Sequence, residues 1–99
     1  MTNNRRIEDR VSLNLSARWI GLTGQHEARV VDVSLGGCFV TTLGRVDVGE
    51  TVVVEIKLPS GEWLQLRGQV CSYQERIGFG LEFPFLTGEE EQALRELVI

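Results

Sequence analysis

The sequence has little of what catalytic and metal sites are built from, and it has no surplus of positive charge. In 99 residues there are one His and two Cys, and the net charge is −4. One His and two isolated cysteines form neither a zinc-binding pattern nor a disulfide framework. A protein that holds nucleic acid by its phosphates usually presents a basic face. We therefore expect no metal and no cofactor, and any site for an anion must be local.

The sequence also lacks an apolar run long enough to cross a membrane, and its first ten residues are polar rather than signal-like. A chain of this length, 42% apolar, fits one compact domain. We expect a soluble, cytoplasmic protein without membrane insertion. Cys38 and Cys71 lie in strand-like segments and are expected to be buried or half-buried free thiols.

Alternation of apolar and polar residues predicts six short strands, because side chains on a strand point to opposite faces in turn. Glycine-rich turns and the hairpin sequence Pro59-Ser60-Gly61-Glu62 separate them. In the last strand Ile77, Phe79, Leu81 and Phe83 are expected to face inward. The predicted strands cover residues 11–19, 28–34, 38–42, 51–58, 63–73 and 76–83.

A C-terminal helix follows Pro84 and runs to about Val98. The sequence from Thr87 to Glu90 has the pattern of a capping box, in which a hydroxyl and a carboxylate satisfy the first backbone N–H groups of a helix. One apolar stripe on the helix could close the end of a barrel or meet a partner, and closure is favoured because a short helix gains most of its stability from packing. The predicted fold is mainly β: a small antiparallel barrel with one C-terminal helix, formed by residues 11–99. Residues 1–10 are predicted to form a separate arm.

Catalysis has little support in this sequence. His26 stands in a polar segment, Gln25-His26-Glu27, that reads as a solvated turn, and no candidate nucleophile lies near it in sequence. The carboxylates are scattered and form no recognisable acid–base pair. The protein is not expected to be an enzyme.

Two stretches remain as candidates for binding, and the first is the N-terminal segment RRIEDR. Its Arg6 and Arg10 are separated by three residues. Nine of the ten basic residues are Arg, so a pair at this spacing is expected by chance about once. Taken alone, the segment is as well explained by a solvated charged tail, which should be mobile when nothing holds it.

The second stretch is Asp32-Val33-Ser34-Leu35-Gly36-Gly37. Residues two apart on a strand share a face, so Asp32 and Ser34 are expected to point outward if Val31 and Val33 point inward. A carboxylate can accept the N1 and N2 hydrogens of a guanine, and Gly37 allows close approach of the backbone. The alternative is that Asp and Ser serve the glycine turn.

Together, the two stretches resemble the motifs of the PilZ domain family. The arm with Arg6 and Arg10 precedes the first strand, Asp32, Ser34 and Gly36-Gly37 end the second, and a late Gly78-Phe79-Gly80-Leu81-Glu82-Phe83 strand is similar to that family's closing strand. The resemblance covers most of the chain.

The resemblance implies a bacterial receptor for the second messenger cyclic di-GMP. Arg6 and Arg10 would hold phosphate and guanine, while Asp32, Ser34 and Gly37 would meet a guanine from the barrel surface, next to Gly36. Arg5 would accompany a stacked pair of ligand molecules, giving two per protomer. Glu8 and Asp9, between the arginines, would oppose a bound dianion and so moderate the affinity.

A receptor of this kind would act on a partner, an effector protein that the sequence does not identify. Two other functions are compatible with the same barrel. One is an interaction module of the same family that binds no nucleotide. The other is a small barrel that binds single-stranded nucleic acid through exposed aromatics such as Trp63 and Tyr73, although the acidic balance disfavours it, and we expect no nucleic-acid partner.

Overall fold

The computed structural model describes residues 10–98 and shows six strands followed by one helix. All six predicted strands and the helix are present, with bounds that differ from the predicted ones by a few residues. The strands are β1 (Val11–Gly21), β2 (Gly24–Ser34), β3 (Gly37–Thr41), β4 (Thr51–Lys57), β5 (Trp63–Gln74) and β6 (Gly78–Glu82), and the helix is α1 (Gly88–Val98).

The strands form a closed antiparallel barrel in the order β1-β2-β3-β6-β5-β4. β1 is long enough to pair with β2 along its length and with β4 at its second half, from Ala17 opposite Ile56 to Ile20 opposite Val53. β6 lies between β3 and β5 and pairs with both. The predicted barrel is therefore confirmed.

The core fills the barrel with the inward side chains of all six strands. Trp19 is fully buried, packs edge-on against Phe79 with ring centroids 5.2 Å apart, and donates its indole N–H to Thr42 Oγ1 at 3.1 Å. His26 stacks on the other side of Trp19 at 4.3 Å. The prediction that His26 lies in a solvated turn is wrong, because β2 begins at Gly24 and pairs His26 with Trp19.

The helix closes one end of the barrel, as its apolar stripe predicted. Thr87 Oγ1 accepts a hydrogen bond from the Glu90 N–H at 3.1 Å, and Glu90 Oε1 accepts one from the Thr87 N–H at 3.0 Å, which confirms the capping box. Leu94 is fully buried, and the helix contacts β2 and β5. Its stability thus derives from burial against the core.

Bulges correct the predicted facing of several residues. The pairing of β2 with β3 shifts between Val30 and Asp32, so Val30 and Val33 both face inward although they are three residues apart. Ser34 is buried instead of pointing outward because its hydroxyl forms hydrogen bonds with the backbone of the turn at Gly36 and Gly37. Ile77, predicted to face inward, is 54% exposed because it ends the turn before β6.

The two cysteines differ in burial. Cys38 is buried in β3, as predicted. Cys71 was also expected to be at least half-buried, and this is wrong, because it lies on the outward face of β5 with Arg67 and Gln69. Among residues 10–98, no group of His, Cys, Asp and Glu could hold a metal ion. No helix in the same range is long and apolar enough to cross a membrane.

Gly37 allows β3 to approach β6 closely. A Cβ built there would lie 2.2 Å from the Leu81 carbonyl oxygen, which is backbone and cannot rotate away. Gly36, one residue earlier, has open space, with Ser34 Oγ as the nearest atom at 3.8 Å. The two neighbouring glycines therefore have different structural roles.

This difference predicts opposite outcomes for two adjacent substitutions. Gly37→Ala should lower the free energy of unfolding by about 2 kcal/mol or more, because β3 and β6 must separate to admit the methyl group. Gly36→Ala should change it by less than about 0.5 kcal/mol, since the added methyl group makes only an ordinary van der Waals contact, 3.8 Å from Ser34 Oγ. Urea titration followed by circular dichroism measures both. Equal stabilities of the two variants would contradict the close approach at Gly37.

The cysteines should likewise differ in reactivity. Burial raises the pKa of the Cys38 thiol from its ordinary value of 9.0 to about 12. In the native protein a chromogenic aryl disulfide should therefore titrate one thiol, Cys71, at neutral pH, and both thiols in denaturant. The stabilisation from burying the neutral Cys38 thiol should be complete below pH 9.0 and lost as the pH rises through about 12. Rapid reaction of two thiols in the native protein would show that Cys38 is accessible.

Candidate functional site

A cavity of about 350 Å³ lies where the start of β1 meets the turn between β2 and β3. Val11 pairs with Val33, and antiparallel pairing therefore brings Arg10, just before β1, beside the end of β2. The cavity brings together the last arginine of the N-terminal segment and the glycine turn. It is lined by Arg10, Ser34, Gly36, Gly37, Cys38, Phe39, Cys71, Ser72, Gly80, Leu81 and Glu82.

Ser34 organises the turn rather than presenting its hydroxyl on the surface. It is 4% exposed. Its Oγ accepts a hydrogen bond from the Gly36 N–H at 3.1 Å and lies 3.4 Å from the Gly37 carbonyl oxygen, to which it donates. The hydroxyl thus fixes the backbone of both glycines at the cavity wall, and the turn-serving interpretation of Ser34 is the one that the geometry supports.

Gly36 and Gly37 form the wall in different ways. Gly36 is exposed, and its carbonyl oxygen accepts a hydrogen bond from the Phe83 N–H at 2.9 Å. Gly37 is buried against β6, where it pairs with Glu82. A flat ligand can approach the backbone here because neither residue projects a side chain.

Asp32 is half-buried and lies beside the cavity, but it is not one of the residues that line it. It pairs with Ser12 on one side and with Phe39 on the other. The buried thiol of Cys38 is close enough to respond to both charges. Burial is the main cause of its raised pKa, Arg10 acts to lower that pKa, and Asp32 acts to raise it. A cation and a carboxylate therefore lie within electrostatic reach of the same wall.

The structure adds lining residues that the motifs did not indicate. A Cβ at Gly80 would lie 2.7 Å from Ser72 Oγ and 3.2 Å from Cys71 Sγ, so the absence of a side chain at Gly80 leaves room for the hydroxyl and the thiol beside it. Both groups reach this surface because of the bulge in β5. Strand alternation predicts the outward direction of Glu82 but not the position of the bulge.

Glu82 places a carboxylate in the cavity wall. It is exposed and pairs with Gly37 and with Gln69. A carboxylate opposes a phosphate at this position, but it can accept the N–H groups of a base. Among the described lining residues there is one cation, Arg10, and one carboxylate, Glu82. The cation suits the phosphates of a ligand, and the carboxylate suits its hydrogen-bond donors.

The other predicted ligand-binding residues of the N-terminal segment, Arg5 and Arg6, lie outside the described residues. So does most of the predicted arm, residues 1–10, of which Arg10 alone is described.

A second and larger cavity, of about 600 Å³, lies elsewhere, between β4, β5 and the segment that leads to the helix. None of the predicted ligand-binding residues that the structure describes lines it. Size alone would favour the larger cavity, but the smaller one holds the arginine and the glycine turn that carry recognisable chemistry. We take the smaller cavity as the candidate site for that reason.

Solved structures with the same fold include two at a sequence identity of 18%. One is the inhibitor of motility MotI/DgrA from Bacillus subtilis, with a TM-score of 0.77 over 89% of this chain and 46% of that chain. The other is the PilZ domain of CeSA from a cellulose-synthesising bacterium, with a TM-score of 0.72 over 92% of this chain and 95% of that chain. The present chain thus spans less than half of the first protein and nearly all of the second domain.

No curated protein matches the chain. The family model of the PilZ domain matches residues 4–99, which is nearly the whole sequence and includes the N-terminal arginines. The match covers the glycine turn, the closed barrel and the C-terminal helix, and the chain belongs to the PilZ domain family.

Proposed function

We propose that this protein is a cytoplasmic receptor for cyclic di-GMP, which it binds between the N-terminal arginines and the cavity at Gly36 and Gly37. The PilZ domain is a family that binds this dinucleotide. The observation that carries the proposal is the position of Arg10, which lines one cavity with Ser34, Gly36 and Gly37 although more than twenty residues separate them in sequence.

The arginines supply what the ligand's phosphates and guanines require. A guanidinium donates two parallel hydrogen bonds to the O6 and N7 acceptors of guanine, or to two phosphate oxygens, and its plane can stack on a base. Arg10 would provide one such group at the cavity wall. Arg6, and Arg5 before it, would add donors from the segment that precedes Arg10, so that the ligand is held from two sides.

The barrel supplies a surface for a guanine. The exposed backbone of Gly36 allows a planar ring to approach, and Ser34 contributes by fixing that backbone rather than by contacting the ligand. Asp32 on β2 and Glu82 on β6 lie on the two strands that flank β3, and each carboxylate is able to accept the N1 and N2 hydrogens of a guanine. Glu82 is an addition to the residues that the motif assigns.

The proposed mechanism is binding followed by recognition, with no bond made or broken. PilZ domains are generally non-enzymatic binding modules. The ligand would order the N-terminal segment against the barrel, and the ordered surface would be read by an effector protein. The name of the Bacillus subtilis structure, an inhibitor of motility, supports an output of this type, because inhibition requires a target.

Isothermal titration with cyclic di-GMP tests the proposal. Arg10→Ala should weaken binding by about 2 kcal/mol or more, which is well over tenfold, because it removes a charge-assisted contact. Arg45→Ala is the matched control, since Arg45 is exposed in the loop after β3, at the end of that strand away from the cavity. It should bind as the unmodified protein does.

Two results would contradict the proposal. No binding by the unmodified protein would leave an interaction module that does not bind nucleotide. Equal affinities of Arg10→Ala and Arg45→Ala would remove the assigned role of Arg10.

The same titration gives the number of ligand molecules. We expect two per protomer, in a stacked pair, because in the PilZ family an Arg just before the Arg-x-x-x-Arg pair tends to accompany two ligand molecules, and a guanidinium can stack on a base. Arg5→Ala should reduce the ratio to one while retaining binding. The measurement is made at protein concentrations well above the dissociation constant, and a ratio of one for the unmodified protein would exclude the stacked pair.

A further inference from the structure

The outer face of β1, β4 and β5 carries a concentration of positive charge that the candidate site does not use. Arg18, Lys57 and Arg67 point outward there. Arg18 is paired with Glu55 and lies opposite Glu27 of β2, whereas Lys57 and Arg67 form no ion pair within residues 10–98. The chain as a whole has a net charge of −4. We refer to this surface as the basic face.

Apolar side chains lie among these cations. Strand pairing sets Ile20 beside Val53 and Val53 beside Arg67 in one row across the face, and Lys57 beside Trp63 in another. Ile20 is 39% exposed and Trp63 is 40% exposed. Single exposed apolar residues are ordinary. Here Trp63 lies beside two cations, Arg18 and Lys57, and aromatic rings and Arg are enriched in surfaces that bind protein.

Trp63 and Arg18 are in contact on the basic face. The Arg18 Cζ lies 4.1 Å from the centroid of the Trp63 ring, and Arg18 Nε donates to Glu55 Oε1 at 2.8 Å. The guanidinium is therefore already oriented, so less side-chain freedom is lost when a partner binds. Trp and Arg are also the residue types that most often dominate the binding energy of protein interfaces.

The larger cavity continues this face toward the helix. Val53, Arg67 and Gln69 lie along it, and Pro84-Phe85 forms the opposite wall, with Phe85 88% exposed. From Gln65 to Gln69 the strand extends roughly 13 Å, enough for about four residues of an extended chain. A partner could therefore place a large apolar side chain against Phe85 while its neighbours reach the cations.

Charge is not uniform along this cavity, and it orients the occupant. Glu90 lies on the helix side, where its Oε1 accepts the Thr87 N–H at 3.0 Å within the helix cap. Arg67 lies on the strand side. Carboxylates of a partner would therefore align with the strands and its apolar side chain with Phe85.

A protein partner fits this surface better than nucleic acid does. Binding of single strands relies on several stacking rings in a strongly basic groove. On the basic face Trp63 is the one aromatic ring among residues 10–98, and Tyr73 is packed against the core. The barrel is closed, so a partner cannot add a strand to an edge and must be recognised through side chains.

The end of β6 connects the two cavities. Glu82 lines the smaller one, Pro84 lines the larger one, and the intervening Phe83 is buried and donates its N–H to the Gly36 carbonyl oxygen at 2.9 Å. A ligand seated on Gly36 would thus contact the backbone to which the wall of the larger cavity is attached.

We propose that the basic face and the adjoining cavity dock an acidic segment of a partner protein that carries a large apolar side chain. Its use as the output surface of a receptor rests on the function proposed above. Docking itself rests on the residues of this face alone.

Selection from a random dodecapeptide library displayed on phage, with the whole protein as bait, tests the docking surface. The enriched sequences should combine Asp or Glu with Phe, Trp or Leu. A synthetic peptide of the enriched sequence should bind in a fluorescence anisotropy measurement. Arg67→Glu should weaken that binding by about tenfold or more, because a glutamate at position 67 repels the peptide's carboxylates where the arginine attracts them. Arg45→Glu, the same charge reversal in an exposed loop, should leave it unchanged.

The amide shifts of the protein on peptide addition locate the contact. They should concentrate at residues 51–57, 63–69 and 84–90. Four results would each overturn the inference. Two concern the peptides: enrichment of basic sequences, and equal effects of Arg67→Glu and Arg45→Glu on binding. The other two are amide shifts outside these residues and preferential binding of a single-stranded oligonucleotide.

A titration of Arg67→Glu with cyclic di-GMP separates this inference from the proposed function. Unchanged messenger binding with lost peptide binding is the expected result. If the protein binds the peptide at this face but binds no cyclic di-GMP, the docking surface is supported and only its role as a receptor output is excluded. If the protein binds cyclic di-GMP but no selected peptide depends on Arg67 for binding, the docking surface is excluded and the receptor function is retained.

Discussion

The structure depends on the insertion of β6 between β3 and β5. This strand closes the barrel, and it can approach β3 because Gly37 has no side chain where the Leu81 carbonyl oxygen lies. The same contact forms the back wall of the candidate site. If β6 were displaced, the core would lose Phe79 and Leu81, and the Gly36 carbonyl oxygen would lose the hydrogen bond that the Phe83 N–H donates to it. Fold and site therefore share one point of closure.

Much of the fold was predictable because it follows from local chemistry with a clear period. Alternation along β1, β4 and β5 gave their inward residues, and the reciprocal bonds between Thr87 and Glu90 follow from a four-residue pattern. The meeting of Arg10 with the glycine turn was predictable only from the resemblance to a family, because the spacing of two arginines has no bearing on which distant residues they approach. The structure then supplied the reason, which is the pairing of Val11 with Val33.

The remaining features depend on irregularities that strand periodicity does not encode. A bulge in β2 places both Val30 and Val33 inside the barrel, and one in β5 exposes Ser72 next to Cys71, since an extra residue interrupts the alternation of faces. His26 was misassigned because its polar neighbours resemble a turn, whereas stacking on Trp19 extends β2 to Gly24. The basic face was also missed, because it unites residues from three strands whose register was unknown.

The strand order also has a consequence for how the chain acquires its site. Cys38 pairs with Leu81, and Ala17 pairs with Ile56, so the decisive pairings join residues about forty positions apart. Such contacts form late, because the entropy of closing a long loop is lost before the contact stabilises it. The walls of the smaller cavity come from β3, β5 and β6, which become neighbours only when the barrel closes. Partly folded chains thus lack this cavity, and a nascent chain acquires it only after β6 has been synthesised.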